Sequence, residues 1–507
     1  MSDSKQRKTG AILSYVSIVI NTIIQLLYTP LLIRMLGQSE YGLYSLVASI
    51  IGYLTVLDLG FGNAIIVYTT KYRTQKNFDK EKILHGMFKI VFIVLGILAG
   101  IISLVLFFNV ERIFSNTMSN IEIFKMKIMM LILAFNLMIT FSFSIYNSII
   151  TAYEKFIFQK VITIIHTLLK PLIMLPLLFL GFKSISLCVV ITIANIIVLI
   201  TNYIYCKKKL NISTKFKGFD KNIFKTIISY SIWIFLGVIV DKANWSIDNF
   251  VLGAVSGTIA VSIYSIAATL NLLFINLSTA ISGVMLPKMA KLVEKKATSE
   301  ELTNELIKVG RIQHLIIFLM CSGFVLFGQE FIKIWAGKGY EESYYVALLL
   351  IIPVSIPLIQ NLGISIMQAM NKFRFKSIST AIMSVINVFI SIFFAKKWGA
   401  IGAALGTCIA LVICNIILIN IYYCKVIKLN IIKFWKNIIK MTIPLTIPII
   451  IMLIVMHFGN KTGIISFIIY GGLYTFLYCL VAYLASMNEY EKSIINKFLI
   501  RLHIKKV

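Results

Sequence analysis

The chain has 507 residues, 59% hydrophobic and 14% charged, with a mean hydropathy of +0.90. Soluble domains are roughly 45–50% apolar and about 25% charged, so a water-soluble globule of this composition would lack the polar residues to cover itself. That excludes soluble enzymes and DNA-binding factors, and the formal charge of +29 points to membrane orientation rather than to a nucleic-acid partner.

A helix needs about 20 apolar residues to cross the hydrocarbon core. Apolar runs between charged or turn-rich breaks predict fourteen such helices: 11–33, 43–68, 87–110, 126–150, 161–180, 184–206, 226–250, 257–286, 311–334, 344–368, 377–395, 400–424, 438–458 and 464–486. The first has a basic flank (Lys5, Arg7, Lys8) and no small-residue cleavage site behind it, and is expected to remain as a membrane helix. With the N-terminus inside and residues near span ends counted with the adjoining loop, 36 of the 49 Lys and Arg lie on the inner side and 10 on the outer, while Lys89, Lys170 and Lys242 are left within spans. This bias predicts an even number of helices with both termini cytoplasmic. The fold expected is an all-α polytopic membrane protein of about 14 transmembrane helices.

The loops are short. The longest inner ones are 207–225 and 287–310, and the second is expected to lie on the membrane surface as an amphipathic helix. No G-x-x-x-x-G-K-[ST] motif is present and no stretch has room for a nucleotide-binding domain, so ATP is not the direct energy source. Seven cysteines and five histidines show no ligand spacing, and neither a disulfide frame, a metal nor a cofactor is expected.

Polar residues recur at helical spacing inside several spans. Helix 1 carries Ser14, Ser17, Asn21, Gln25 and Tyr28; helix 4 carries Asn136, Thr140, Ser144, Asn147 and Thr151; helix 10 carries Pro357, Asn361, Ser365 and Gln368. Spacings of three and four put each set on one face, either as glue between packed helices or as the lining of an aqueous cavity. Charge discriminates better, because an ion at the bilayer centre costs about 2.5–3.5 kcal/mol on insertion scales. Lys170 sits mid-span, before Pro171 and one turn above His166. It either faces a cavity and attracts an anionic headgroup or forms a structural pair with Asp58. Helix 7 presents Asp241, Asn244, Trp245 and Asp248 on one face with Lys242 beside them. There the acids could carry a coupling proton or sodium ion and the indole could stack on a sugar, or Asp248 could rest at the outer interface. Arg34, Arg311 and Glu330 read as interfacial residues. No triad or paired-carboxylate arrangement occurs in an exposed segment, which argues against catalysis.

The sequence also repeats itself. AYEKFIF at 152–158 recurs as AMNKFRF at 369–375, and Ser14-Tyr15, Leu36-Gly37 and Tyr44-Ser45 recur 215–220 residues later. Six predicted helices separate the copies, so both enter the membrane from the same side. That implies parallel repeats, with a pathway between two bundles: 1–210, 211–430, and two further helices with a tail in 431–507.

The stretch LYTPLLIRMLGQSEYGLYSL (27–46), followed by LDLGFGNA (57–64) and, later, IDNFVLG (247–253), resembles the signatures of Wzx-type oligosaccharide flippases. These belong to the superfamily that also contains multidrug exporters and lipid II flippases. The resemblance implies a protein of the bacterial cytoplasmic membrane that moves undecaprenyl-diphosphate-linked glycan units from the inner to the outer leaflet by alternating access, for O-antigen or capsule synthesis. It implies membrane lipids and other polysaccharide assembly proteins as partners, and it puts Asp58 and Asp248 at recurrent family positions without giving them roles. The substrate-binding candidates are Lys170, His166, Lys242, Trp245, Asn21, Gln25, Asn136, Asn147 and Asn361. The ion-coupling candidates are Asp58, Asp241 and Asp248, with H+ or Na+ as the ion. A multidrug exporter of the same superfamily is the nearest alternative, and a glycan polymerase or ligase a more distant one.

Overall fold

The computed structural model describes residues 3–215, 224, 228, 247–283, 285–370, 372–459 and 463–501, which contain helices and no strand. Twelve helical stretches among them are long and apolar enough to cross a membrane. The expected spans coincide with helices throughout, except that 226–250 lies almost wholly outside the described residues and that three spans are not simple rods.

The chain packs as two compact units, Met1–Ser265 with Ala395–Ala400, and Ile266–Phe394 with Ile401–Val507. The first holds α1 (Asp3–Leu36), α2 (Gln38–Leu54), α3 (Phe61–Thr74), α4 (Phe78–Phe114), α5 (Asn120–Ala152), α6 (Phe156–Phe179) and α7 (Ser184–Lys208). α5 is the hub, touching α2, α3, α4, α6 and α7, while α1 pairs with α6. Its start is fixed by a capping box in which Ser119 accepts from the Glu122 amide and Glu122 reaches back to Ser119, satisfying two otherwise orphaned N–H groups. Close approach of α4 depends on Gly96 and Gly100. A Cβ at Gly100 would stand 2.5 Å from the Met138 sulfur.

At 37 residues, α4 is about 55 Å long at 1.5 Å per residue, well beyond the ~30 Å core. Its first turns carry the exposed Asp79 and Lys80. At the outer end the turns are tied by polar groups. Glu122 accepts from Ser39 at 2.6 Å and from Thr258 at 2.7 Å, and buried Glu40 pairs with Lys125 and accepts from Ser184.

The second unit contains most of α8 (Gly257–Gly283), then α9 (Leu286–Glu294), α10 (Ser299–Trp335), α11 (Glu342–Ile359), α12 (Asn361–Ala369), α13 (Arg374–Leu411), α14 (Ile431–Phe458), α15 (Ile464–Val481) and α16 (Glu489–Arg501). α9 begins the loop expected to be amphipathic, with Met289 buried and Lys288 and Lys291 exposed. α13 doubles back at Trp398 and Gly399, whose backbone is not helical. Its arms are joined where Ser391 donates to the Ala403 carbonyl at 3.3 Å, so the two expected spans 377–395 and 400–424 are the two arms of a helical hairpin. The two added helices pack on α10 through Phe327, Leu445, Met452, Tyr474 and Tyr478. Arg311, expected as an interfacial anchor, is instead buried: it donates to both Glu491 oxygens, at 2.6 and 2.9 Å, and to the Ser486 carbonyl at 2.8 Å. Glu330, placed at the outer interface by the sequence, accepts from the Gly463 amide at 3.0 Å.

The repeat is built into the packing of each unit. Phe158 stacks on Tyr205 with centroids 3.7 Å apart. Phe375 stacks on Tyr422, each exactly matched at an offset of 217, with centroids 4.3 Å apart. One turn away the copies trade volume. In the first half Cys206 donates to the Tyr146 carbonyl. In the second, the equivalents are Tyr423 and Gly363, and a Cβ on Gly363 would lie 2.5 Å from the Tyr423 ring. Bulk has moved from one partner to the other, which a close-packed interior accepts best.

Two stability predictions follow from these contacts. Gly363→Ala should destabilise by about 1–3 kcal/mol through overpacking, and Tyr423→Cys added to it should recover part of the loss in thermal unfolding of the purified protein. Glu491→Ala should cost about 3–5 kcal/mol by leaving Arg311 buried and unpaired, whereas Arg311→Met with Glu491→Leu should lose far less.

Candidate functional site

Helix 2, expected as one span over 43–68, is broken near the middle of its 37-residue crossing (Gln38–Thr74). α2 ends at Leu54, a short 3-10 turn covers Thr55–Asp58, and Leu59 and Gly60 take left-handed backbone with φ of 52° and 71°. A glycine supplies this conformation cheaply and leucine does not, so the turn costs energy at Leu59. The break leaves helix ends without their intrahelical partners, at a depth where lipid offers none. Asp58 sits at this point, half-buried, and its carboxylate faces Gly62, beside which lies the Ser148 hydroxyl of α5. Helix 10 is also interrupted, at Gln360 between α11 and α12, with φ of −94° and no left-handed residue.

α6 carries the second feature. Gln159, Thr163, His166 and Lys170 follow at intervals of four, three and four, on one face. At its N-terminal half this face borders a cavity of about 170 Å³ lined by Asn147, Gln159, Lys160, Thr163, His166 and Asn202, with Ile162 and Val198. Gln159 donates to Asn147 at 3.1 Å and to Thr151 at 3.0 Å, and the buried His166 Nε2 has no hydrogen-bond partner. Lys170 lies one turn further along, about 6 Å at 1.5 Å per residue. It is half-buried, and among the described residues it makes no ion pair; the alternative pairing with Asp58 is not formed.

The remaining candidates separate. Asn136 is glue: Asn195 of α7 donates to it at 2.6 Å and to Thr140 at 2.7 Å. Asn21 is exposed, and Gln25 and Asn361 are half-buried; none of the three joins the cavity. Asp248 is 1% exposed and accepts from the Tyr264 hydroxyl, so it does not rest at the outer water interface. Its neighbour Asn249 donates to Ser49 at 2.8 Å and accepts from Ser265 at 3.2 Å, which holds this helical turn against α2 and α8. Asp241, Lys242, Asn244 and Trp245 lie outside the described residues. No group of three or more metal-ligating side chains occurs among the described residues.

The family model described as "Polysaccharide biosynthesis protein" matches residues 31–345. The chain belongs to that family. It is similar to a protein of Shigella flexneri named "Putative O-antigen transporter", 21% identical over 413 residues, covering 80% of this chain and 94% of that one. Among solved structures it resembles the lipid II flippase MurJ in an inward closed conformation, with a TM-score of 0.72 at 16% identity, covering 97% of this chain and 100% of the other. It also resembles an inward-facing multidrug resistance MATE transporter of the MOP superfamily, with a TM-score of 0.59 at 14% identity over 78% and 96%. The chain is therefore a multi-pass membrane protein of the polysaccharide biosynthesis family, with the fold of the lipid II flippase and the MATE transporter.

Within this family member, the residues that sequence reasoning missed are Gln159, Lys160, Thr163 and Asn202. The signal was available in the four-three-four spacing running back from Lys170, but it begins in what reads as a loop. Asn195 was missed because a single amide on an apolar helix has no periodicity to reveal it. If the Asn136–Thr140–Asn195 cluster only joins helices, Asn195→Leu should cost about 0.6–1.7 kcal/mol in thermal unfolding and leave glycan export intact.

Proposed function

We propose that the chain carries undecaprenyl-diphosphate-linked oligosaccharide units from the inner to the outer leaflet by alternating access, coupled to a gradient of H+ or Na+. The observation that carries this reading is Lys170. It is a cation within a span that makes no ion pair among the described residues, and the repeat-equivalent position, Asn387, is neutral and engaged: it donates to Thr407 at 3.3 Å and accepts from Ser391 at 3.1 Å. The architecture thus needs no charge at this position, and the first half keeps one where an isolated ion is expensive. An anionic diphosphate passing through the membrane is a group that repays this cost. Family membership and the named relative agree in substrate class.

Coupling is assigned to Asp58. Broken helices in transporters present backbone carbonyls and helix ends to ions near mid-membrane, and here a carboxylate stands at such a break. Asp248, buried against Tyr264, is the second candidate. Asp241 remains a proposal from its place in the sequence.

Lys170→Ala should lower glycan export in cells at least about tenfold with normal membrane insertion, and Lys170→Arg should retain more of it. In proteoliposomes Asp58→Asn should abolish the response to an imposed H+ or Na+ gradient. Transport indifferent to both gradients in the unaltered protein would count against coupling. Efflux of small cationic drugs, with no glycan defect on deletion, would favour the multidrug reading instead.

A further inference from the structure

We infer that the cavity bounded by α5, α6 and α7 captures a phosphate or diphosphate group on the inner side of the membrane. The origin of that group, the link between glycan and polyprenyl carrier, rests on the flippase reading above; the chemistry of the cavity does not. At about 170 Å³ it falls below the ~300–1,000 Å³ of sites that enclose drug-sized ligands, so it suits a small group rather than an oligosaccharide. Its lining offers an ammonium from Lys160, an imidazole from His166, carboxamides from Asn147, Gln159 and Asn202 and a hydroxyl from Thr163, and it contains no carboxylate. These are donors to phosphate oxygens, and the charged ones make the stronger bonds. His166 Nε2 is buried with no partner, and Lys160 makes no ion pair among the described residues. Gln159 is tethered to Asn147 and Thr151, which holds one wall in place.

The internal repeat shows which of these groups the architecture itself does not require. At the offset of 217, His166 corresponds to Met383, Lys160 to Ser377, Asn202 to Ile419 and Gln159 to Lys376, while Thr163 and Thr380 match. In the second half Met383 is buried in an apolar cluster with Ala410 and Cys414; Thr163 and Thr380 alike donate to the carbonyl four residues back. The same fold therefore accepts an apolar side chain where the first half carries the unpartnered imidazole. That imidazole is a property of the first-half sequence, not of the architecture.

Its position suits a lipid-borne group. Val161, Ile165, Leu168 and Leu172 are exposed on the opposite face of α6, so the cavity lies one helix diameter, roughly 10 Å, from the hydrocarbon. The headgroup can enter while its tail stays in oil. Lys170, next on the polar face, is the following cation on the way outward.

The test uses the full-length protein in nanodiscs carrying either undecaprenyl diphosphate or undecaprenol, with inorganic diphosphate as a soluble competitor. The wild type should hold undecaprenyl diphosphate about tenfold more tightly than undecaprenol, with inorganic diphosphate competing. Lys160→Ser combined with His166→Met installs residues the second half already carries, and should erase the preference. Asn195→Leu, outside the cavity, should keep it. If the double variant melts early, Asn202→Ile, again taken from the second half, carries the same comparison. A double variant that folds and retains the preference overturns the site. So does a wild type that binds inorganic diphosphate but treats the two lipids alike, which would make this a soluble-anion site. A gene deletion that leaves glycan export unchanged, with the diphosphate preference intact in vitro, would remove the flippase reading and leave the site standing.

Discussion

Hydrocarbon offers no hydrogen bonds, and every other feature of this molecule follows from that deprivation. Backbone groups must find their partners inside the same helix or in a neighbouring one. The departures from this rule therefore stand out as places where protein or water has to take the place of a partner: the turn at Thr55–Gly60, the break at Gln360, the hairpin tip at Trp398–Gly399. The first of these carries a carboxylate and the second a buried carboxamide. The third has neither, lies where the chain reverses outside the membrane, and needs only a glycine with positive φ.

The same constraint governs side chains. Arg311 is tolerated because Glu491 and the Ser486 carbonyl take up its donors. Glu40 and Glu122 are tolerated at the outer ends because hydroxyls and Lys125 surround them. Lys170 has no such company among the described residues, and that difference, rather than the charge itself, is the ground for proposing a transport role for it.

Much of this was legible in the residues. Span positions follow from run length, because an apolar run of about twenty residues has few other fates. The repeat follows from a seven-residue match. What could not be read were the helix breaks, since LDLGFG is as apolar as its surroundings and hydropathy is blind to φ. Nor could partners be read: whether Asn136 lines water or binds Asn195, or whether Asp248 lies at an interface or against Tyr264, depends on which distant helix arrives beside it. The α6 cavity was half visible, through His166 and Asn147, and its other walls come from a loop-like stretch and from α7.

The exchange of bulk between Tyr146–Cys206 and Gly363–Tyr423 bears on the chain's ancestry. Two copies that began alike have each drifted to a private solution of the same volume problem, one substitution conditioning the next. A modern half can no longer be replaced by a duplicate of its sister, because compatibility is now stored in pairs of positions some sixty residues apart rather than in either one. Duplication supplied the scaffold; this mutual accommodation is what made the copies free to diverge.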